Sequence, residues 1–179
     1  MGEDSSVGGL TKVEVKLKWD AGRWDQPTRH LDIIAATYRD DAPYGAPSYV
    51  VHTESRSPDG TIHLTRHSET GLGLGFAEVM VLELDRLAPA YRRVMVGVAI
   101  HQRDAVMTFA DVTNTEVVVT ERYQPLISND FANMSGATAA TIAEFTRYGA
   151  GQWHVREAFQ GFDADPMAFP AQMGRARQP

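Results

Sequence analysis

A chain of 179 residues, 43% of them hydrophobic and 22% charged, has the length and apolar content for a single packed core, which excludes a disordered protein and calls for no second domain. A formal charge of −6 with no basic run argues against nucleic acid as a partner. The lack of cysteine removes disulfides, thiolate zinc sites and cysteine nucleophiles from consideration.

Residues 1–9 contain Gly and Ser and read as a mobile N-terminal segment. They carry neither the basic start nor the apolar stretch of a secretory leader, and no later stretch approaches the roughly 18 apolar residues of a membrane span. A cytoplasmic protein is therefore expected. From Lys12 to Trp19 the chain alternates strictly, with Val13, Val15, Leu17 and Trp19 on one side and Lys12, Glu14, Lys16 and Lys18 on the other, the pattern of a half-buried strand. Further strands are expected over Leu31–Tyr38, Tyr49–Thr53, Thr61–His67, Glu78–Leu84, Arg93–Gln102, Val106–Val112, Thr115–Thr120, Thr141–Tyr148 and Gln152–Phe159, where β-branched residues are frequent. Ser57-Pro58-Asp59-Gly60 and Tyr148-Gly-Ala-Gly151 supply turn chemistry between them. Helix is confined to one or two short turns, the best candidate being Asp85–Tyr91, which Pro89 keeps short. The alanines of Ser135–Tyr148 compete for helix, but strand is the reading adopted. Many short strands at regular spacing imply a mainly β fold, a β-sandwich of two packed, largely antiparallel sheets over residues 10–162. Residues 163–179, with three prolines and no periodic pattern, read as a C-terminal tail or docking strap.

In chain order, Gly9-Leu-Thr-Lys-Val13, Trp19-Asp20, Leu31-Asp32, Ser57-Pro-Asp-Gly60, Thr70-Gly71, Leu84-Asp85 with Leu87-Ala-Pro89, Val94 to His101, and Gly149 to Gly161 with Trp153 and Gln160-Gly161 resemble the TerD tellurium-resistance and stress-protein family. The resemblance runs from about Leu10 to Phe162. It implies a two-sheet β-sandwich, calcium binding, and a part in resistance to tellurite and other chemical stress.

In that family an Asp-x-Asp pair and a Gly-rich acidic loop converge to supply the oxygens that calcium requires. Here the pair reads His30-Leu31-Asp32, and the loop reads His67-Ser-Glu-Thr-Gly-Leu-Gly-Leu-Gly-Phe-Ala-Glu78. Gly71, Gly73, Gly75 and Glu78 keep the family pattern, while Leu72, Leu74, Phe76 and Ala77 stand where acidic residues usually lie. Asp32 and Glu78, with Glu69 and Asp25 in reach, leave an oxygen-poor, degenerate calcium region whose binding is expected to be weak. His30 and His67 stand where the pattern carries Asp, and imidazole favours transition metals over calcium. His30, Asp32, His67 and Glu78 would then form a mixed nitrogen and oxygen site.

The main functional expectation is a non-catalytic stress-response scaffold or sensor. Its apolar loop, Gly71, Leu72, Gly73, Leu74, Gly75 and Phe76, would meet a protein partner, a second copy or a membrane surface. Against it stand a metal-sequestering module built on the histidines, and a β-sandwich hydrolase or carbohydrate-binding module using strand-end carboxylates such as Asp104 and Asp111. No nucleophile elbow, phosphate loop or dinucleotide fingerprint is present.

Overall fold

The computed structural model describes residues 9–73, 75–103, 106–148 and 151–176, without the side chain of Tyr148. The expected mobile segment (Gly9 apart), Leu74, Asp104, the 149–150 turn and the last three residues of the tail lie outside the described residues.

The alternation of Lys12–Lys18 (β1) orients the first sheet. Val13, Val15 and Leu17 are fully buried, and the charged residues between them face out. β1 lies at the centre of a five-stranded antiparallel sheet, between β5 (Glu78–Glu83) and β7 (Glu116–Glu121), with β4 (Ile62–Arg66) and β8 (Gln124–Asn129) at its edges. The second sheet runs β10-β9-β6-β2-β3, from Gln152–Phe162 through Ala139–Tyr148, Tyr91–Ile100 and Leu31–Arg39 to Tyr49–Val51, again antiparallel throughout. The main core lies between them, as the mainly β sandwich reading requires.

β2 does not alternate: Leu31 through Tyr38 are all buried. Leu31, Ile33 and Ala35 enter the main core, and Ile34, Ala36 and Tyr38 enter a second one on the opposite face. The C-terminal segment covers that face. Thr138 Oγ1 bonds both the carbonyl and the N–H of Ala164, Phe169 is buried, and the short helix α1 (Pro170–Met173) follows. Gly97 makes room for Phe169, since a Cβ there would lie 2.6 Å from the ring. Arg93, buried between the rings of Tyr38 and Tyr44, donates to the carbonyl of Gly174 and pairs with Glu144 at 2.7 Å. Glu144 also accepts from Arg156 at 2.6 Å, so it is loss of Glu144 that would leave a buried charge, on Arg93, whose bond to Gly174 ties down the C-terminal segment.

Three elements differ from the expectation. Val106–Val112 is not a strand: its centre is a 3-10 turn, Phe109–Asp111, whose N-terminus Thr108 and Asp111 close as a reciprocal capping box. β8 was not expected, because Pro125 and a polar composition weaken its strand signal. Helical structure exceeds one or two turns, with 3-10 turns at Leu84–Arg86, Phe109–Asp111 and Ala132–Met134 besides α1. The alanine-rich stretch is β9, paired on both sides. No helix among the described residues is long and apolar enough to cross a membrane.

Candidate metal centre

β2 and β6 pair with Leu31 opposite Ile100, and the His101 N–H donates to the His30 carbonyl, which makes His30 and His101 neighbours just beyond the paired strands. Cross-strand neighbours on one face come into side-chain contact. Their imidazoles stack in parallel, centroids 3.8 Å apart and planes within 5°. Asp32, two residues along the same face from His30, meets both rings. His101 Nε2 lies 2.6 Å from Asp32 Oδ2, and His30 Nε2 lies 3.1 Å from Asp32 Oδ1 without the alignment of a hydrogen bond. Thr53 Oγ1 donates to Asp32 Oδ2 at 3.3 Å.

The other sheet contributes the second half. β3 ends at Val51, opposite Ala35, and the next free amide of β2, that of Ile33, is taken by Glu78 Oε1 at 2.8 Å. Glu78 opens β5 and has no solvent exposure. Its Oε2 lies 3.2 Å from Nδ1 of His67, which follows β4 and is one-third exposed. The His67 ring is 5.8 Å from that of His30. Two groups of donors result, His30–Asp32–His101 and Asp32–His67–Glu78, each with its ligand atoms within 4.8 Å of one another and sharing Asp32.

Burial acts differently on the two carboxyls. On Asp32 desolvation raises the pKa, but the close contacts and charges of His101 and His30 together outweigh it and hold the group well below the usual carboxylate range. Glu78 is pushed up to about 9, first by burial and then by the Asp32 charge, with only the Ile33 N–H opposing. One cluster thus holds an ionised and a protonated carboxyl at neutral pH. His30 is 7% exposed and neither ring nitrogen has a hydrogen-bond partner. Buried polar atoms without partners are costly, and a bound ion is one way to satisfy them. Tetrahedral zinc with bonds of 2.0–2.1 Å needs donors about 3.3 Å apart, so the 2.6 Å contact of His101 with Asp32 would open and the longer separations, up to 4.8 Å, would close around an ion. Calcium takes six to eight oxygens, and a set of three imidazoles with two carboxyls does not fit it.

The cluster unites His30, Asp32, His67 and Glu78, the four residues singled out in the sequence, and adds His101, which the sequence places only near the end of the Arg93–Gln102 strand and of the Val94–His101 landmark. Glu69 lines the cleft in front of the cluster from an exposed position. Asp25 does not join: it sits on an exposed turn, 3.6 Å from Arg23, because the loop between β1 and β2 carries it away from the strand ends. In the Gly-rich loop Gly71, Gly73 and Gly75 all have positive φ. Gly71 packs on the Trp19 indole, where a Cβ would come within 2.5 Å. Leu72 is 70% exposed, whereas Phe76 is half-buried, with Lys16 and Lys18 5.9 and 5.6 Å from its ring centre. Asp111 is occupied in its cap and Trp19 is a core residue.

A protein of Bacillus subtilis (strain 168), the uncharacterised YceE, is 26% identical over 161 residues, which cover 86% of this chain and 83% of that protein. Among solved structures, a homologue of the telluride resistance protein TerD, SCO6318 from Streptomyces coelicolor A3(2), superposes with a TM-score of 0.92 at 57% identity, covering 94% of this chain and all of the other. SAV2460, whose structure was solved as that of a protein of unknown function, gives 0.92 at 48% identity, with 95% and 99% covered. The model of the TerD domain matches residues 4–170, and the chain belongs to that family.

Proposed function

We propose that this protein is a non-catalytic TerD-domain module of the stress-response kind, a sensor or scaffold whose ion is a transition-metal dication and not calcium. The observation that carries the reading is the convergence of His30, His67 and His101 on Asp32 and Glu78 at the open end of the sandwich. Imidazole with carboxylate suits zinc, nickel or copper, and the chain has no cysteine with which to build a softer site. Support for the stress role comes from the family and from the telluride-resistance homologue named above. The donors sit at or beside the ends of four strands, β2, β4, β5 and β6, so an ion that takes Asp32 together with His67 or Glu78 would tie the two sheets together. Exposed Leu72 on the Gly-rich loop offers a separate contact for a protein partner or a second copy.

The test is a metal scan of the untagged chain by calorimetry with elemental analysis. Zinc, nickel or copper binds at micromolar or tighter dissociation constants, and His101→Ala and His30→Ala each weaken binding at least about tenfold, since losing even a group that only orients a ligand costs that much. Saturation by submillimolar calcium without uptake of any transition metal would sink the reading.

A further inference from the structure

Each group of donors supplies three ligands, and a tetrahedral ion takes four. An ion held by either group would keep a fourth position, and a cleft of about 590 Å³ is lined at its floor by His30, Asp32, His67 and His101. The character of the cleft decides what enters. Val50 of β3 and Pro166, Met167 and Pro170 from the C-terminal segment form apolar walls, with Met167 91% exposed. Around the mouth stand Glu54, Glu69 and Asp165, all exposed, and no Lys or Arg lies among the described residues of the lining. Asp165 is held in place by accepting from the N–H groups of Met167 and Ala168. An anion approaching the ion therefore meets three like charges, attenuated by solvent but not cancelled. Inside, Asp32 and, where it ligates, Glu78 offset the ion's own charge. A flat, neutral nitrogen donor meets no such repulsion, and the proline and methionine walls offer its ring apolar surface.

On the metal reading above, we infer that the bound ion keeps an exchangeable position facing this cleft, and that the position takes a neutral imidazole-type nitrogen ligand in preference to carboxylate or phosphate anions. The second independent observation is His30, buried in the floor with neither ring nitrogen hydrogen-bonded although Nε2 lies 3.1 Å from Asp32 Oδ1, which marks the cleft floor and not the acidic rim as the place of coordination. The site would thus recognise a histidine side chain or a small azole, and discriminate against carboxylates and phosphates.

Cobalt reports the coordination shell directly through its visible absorption. The full chain, free of any histidine tag and of imidazole buffers, is loaded with Co²⁺ and titrated separately with imidazole and with acetate at low salt. Imidazole shifts the spectrum with a half-saturation about tenfold below that of acetate, the order expected of three partly screened like charges. The triple variant Glu54→Gln, Glu69→Gln, Asp165→Asn keeps its cobalt content and brings the two ligands together, and high salt does the same to the wild type. Cobalt uptake with a spectrum that neither ligand alters would overturn this inference and leave the metal reading standing, as would acetate binding equal to imidazole. Failure to take up cobalt, zinc or nickel at all would overturn both.

Discussion

If Glu78 ligates the ion, binding must strip a proton from it, and the pH dependence of affinity measures that step. In the free protein its pKa is pushed up to about 9 by burial and by the Asp32 charge. At pH 7 the ligand form lies two pH units uphill, about 2.7 kcal/mol at about 1.4 kcal/mol per unit. Zinc affinity should therefore climb about tenfold per pH unit between 7 and 9 and level off above, with close to one proton released per ion at pH 7. Competition against a chromophoric chelator reads the slope, and calorimetry in buffers of different ionisation enthalpy counts the proton. Glu78→Gln keeps the hydrogen bond to Ile33 and removes the titration, so its slope through this range flattens. A wild-type affinity that does not change with pH, or an identical slope in Glu78→Gln, would refute the assignment and place the ion on His30, Asp32 and His101 alone.

The metal-free protein has its own pH signature. Glu78 has a folded pKa above its ordinary 4.5, so the native state holds the extra proton and stability falls as pH rises from about 5 to 9, with a slope approaching 1.4 kcal/mol per unit. Asp32 acts oppositely: its contribution is present above its ordinary 3.8 and lost as pH falls below that value. Denaturant midpoints should peak in mild acid, and Glu78→Gln should flatten the alkaline limb; an unchanged limb would contradict the burial argument. Leu17→Ala, at a fully buried position of β1, should cost about 2–5 kcal/mol by lost transfer and a residual cavity, and a loss under about 1 kcal/mol would contradict the packing. Gly97→Ala places a methyl against Phe169 and the Ala140 carbonyl, and about 1–3 kcal/mol of destabilisation with early proteolysis of the C-terminal segment is expected. Leu72→Ser should change stability by no more than about 0.5 kcal/mol. The same variant should weaken self-association in sedimentation at high concentration, and a wild type that stays monomeric throughout would remove that contact.

Several features were legible from residues alone because they are local. The alternation of Lys12–Trp19 names its buried face without reference to any other strand, the Ser57–Gly60 turn declares itself, and the landmarks from Leu10 to Phe162 point to the family. The replacement of acidic positions by His30, His67, Leu72 and Phe76 was equally plain, and with it the oxygen-poor character of the site. Other features had no local signal. Burial of β2 on both faces needed the C-terminal segment laid across it, and the alanines of β9 became strand because two neighbours pair with them. Val106–Val112 reads as strand because its β-branched residues outweigh a capping pair, Thr108 and Asp111, that the sequence also carries. The site itself shows the division most clearly. His30 and Asp32 share a face by strand periodicity, which sequence supplies, but His101 lies 69 residues from Asp32 along the chain and joins it only through the pairing of β2 with β6. Glu78 reaches them across the sandwich because β3 stops short and leaves the Ile33 amide open. Residue type determined which chemistry was available, whereas strand register and the packing of one sheet on the other decided which donors meet, because those depend on contacts far apart in sequence.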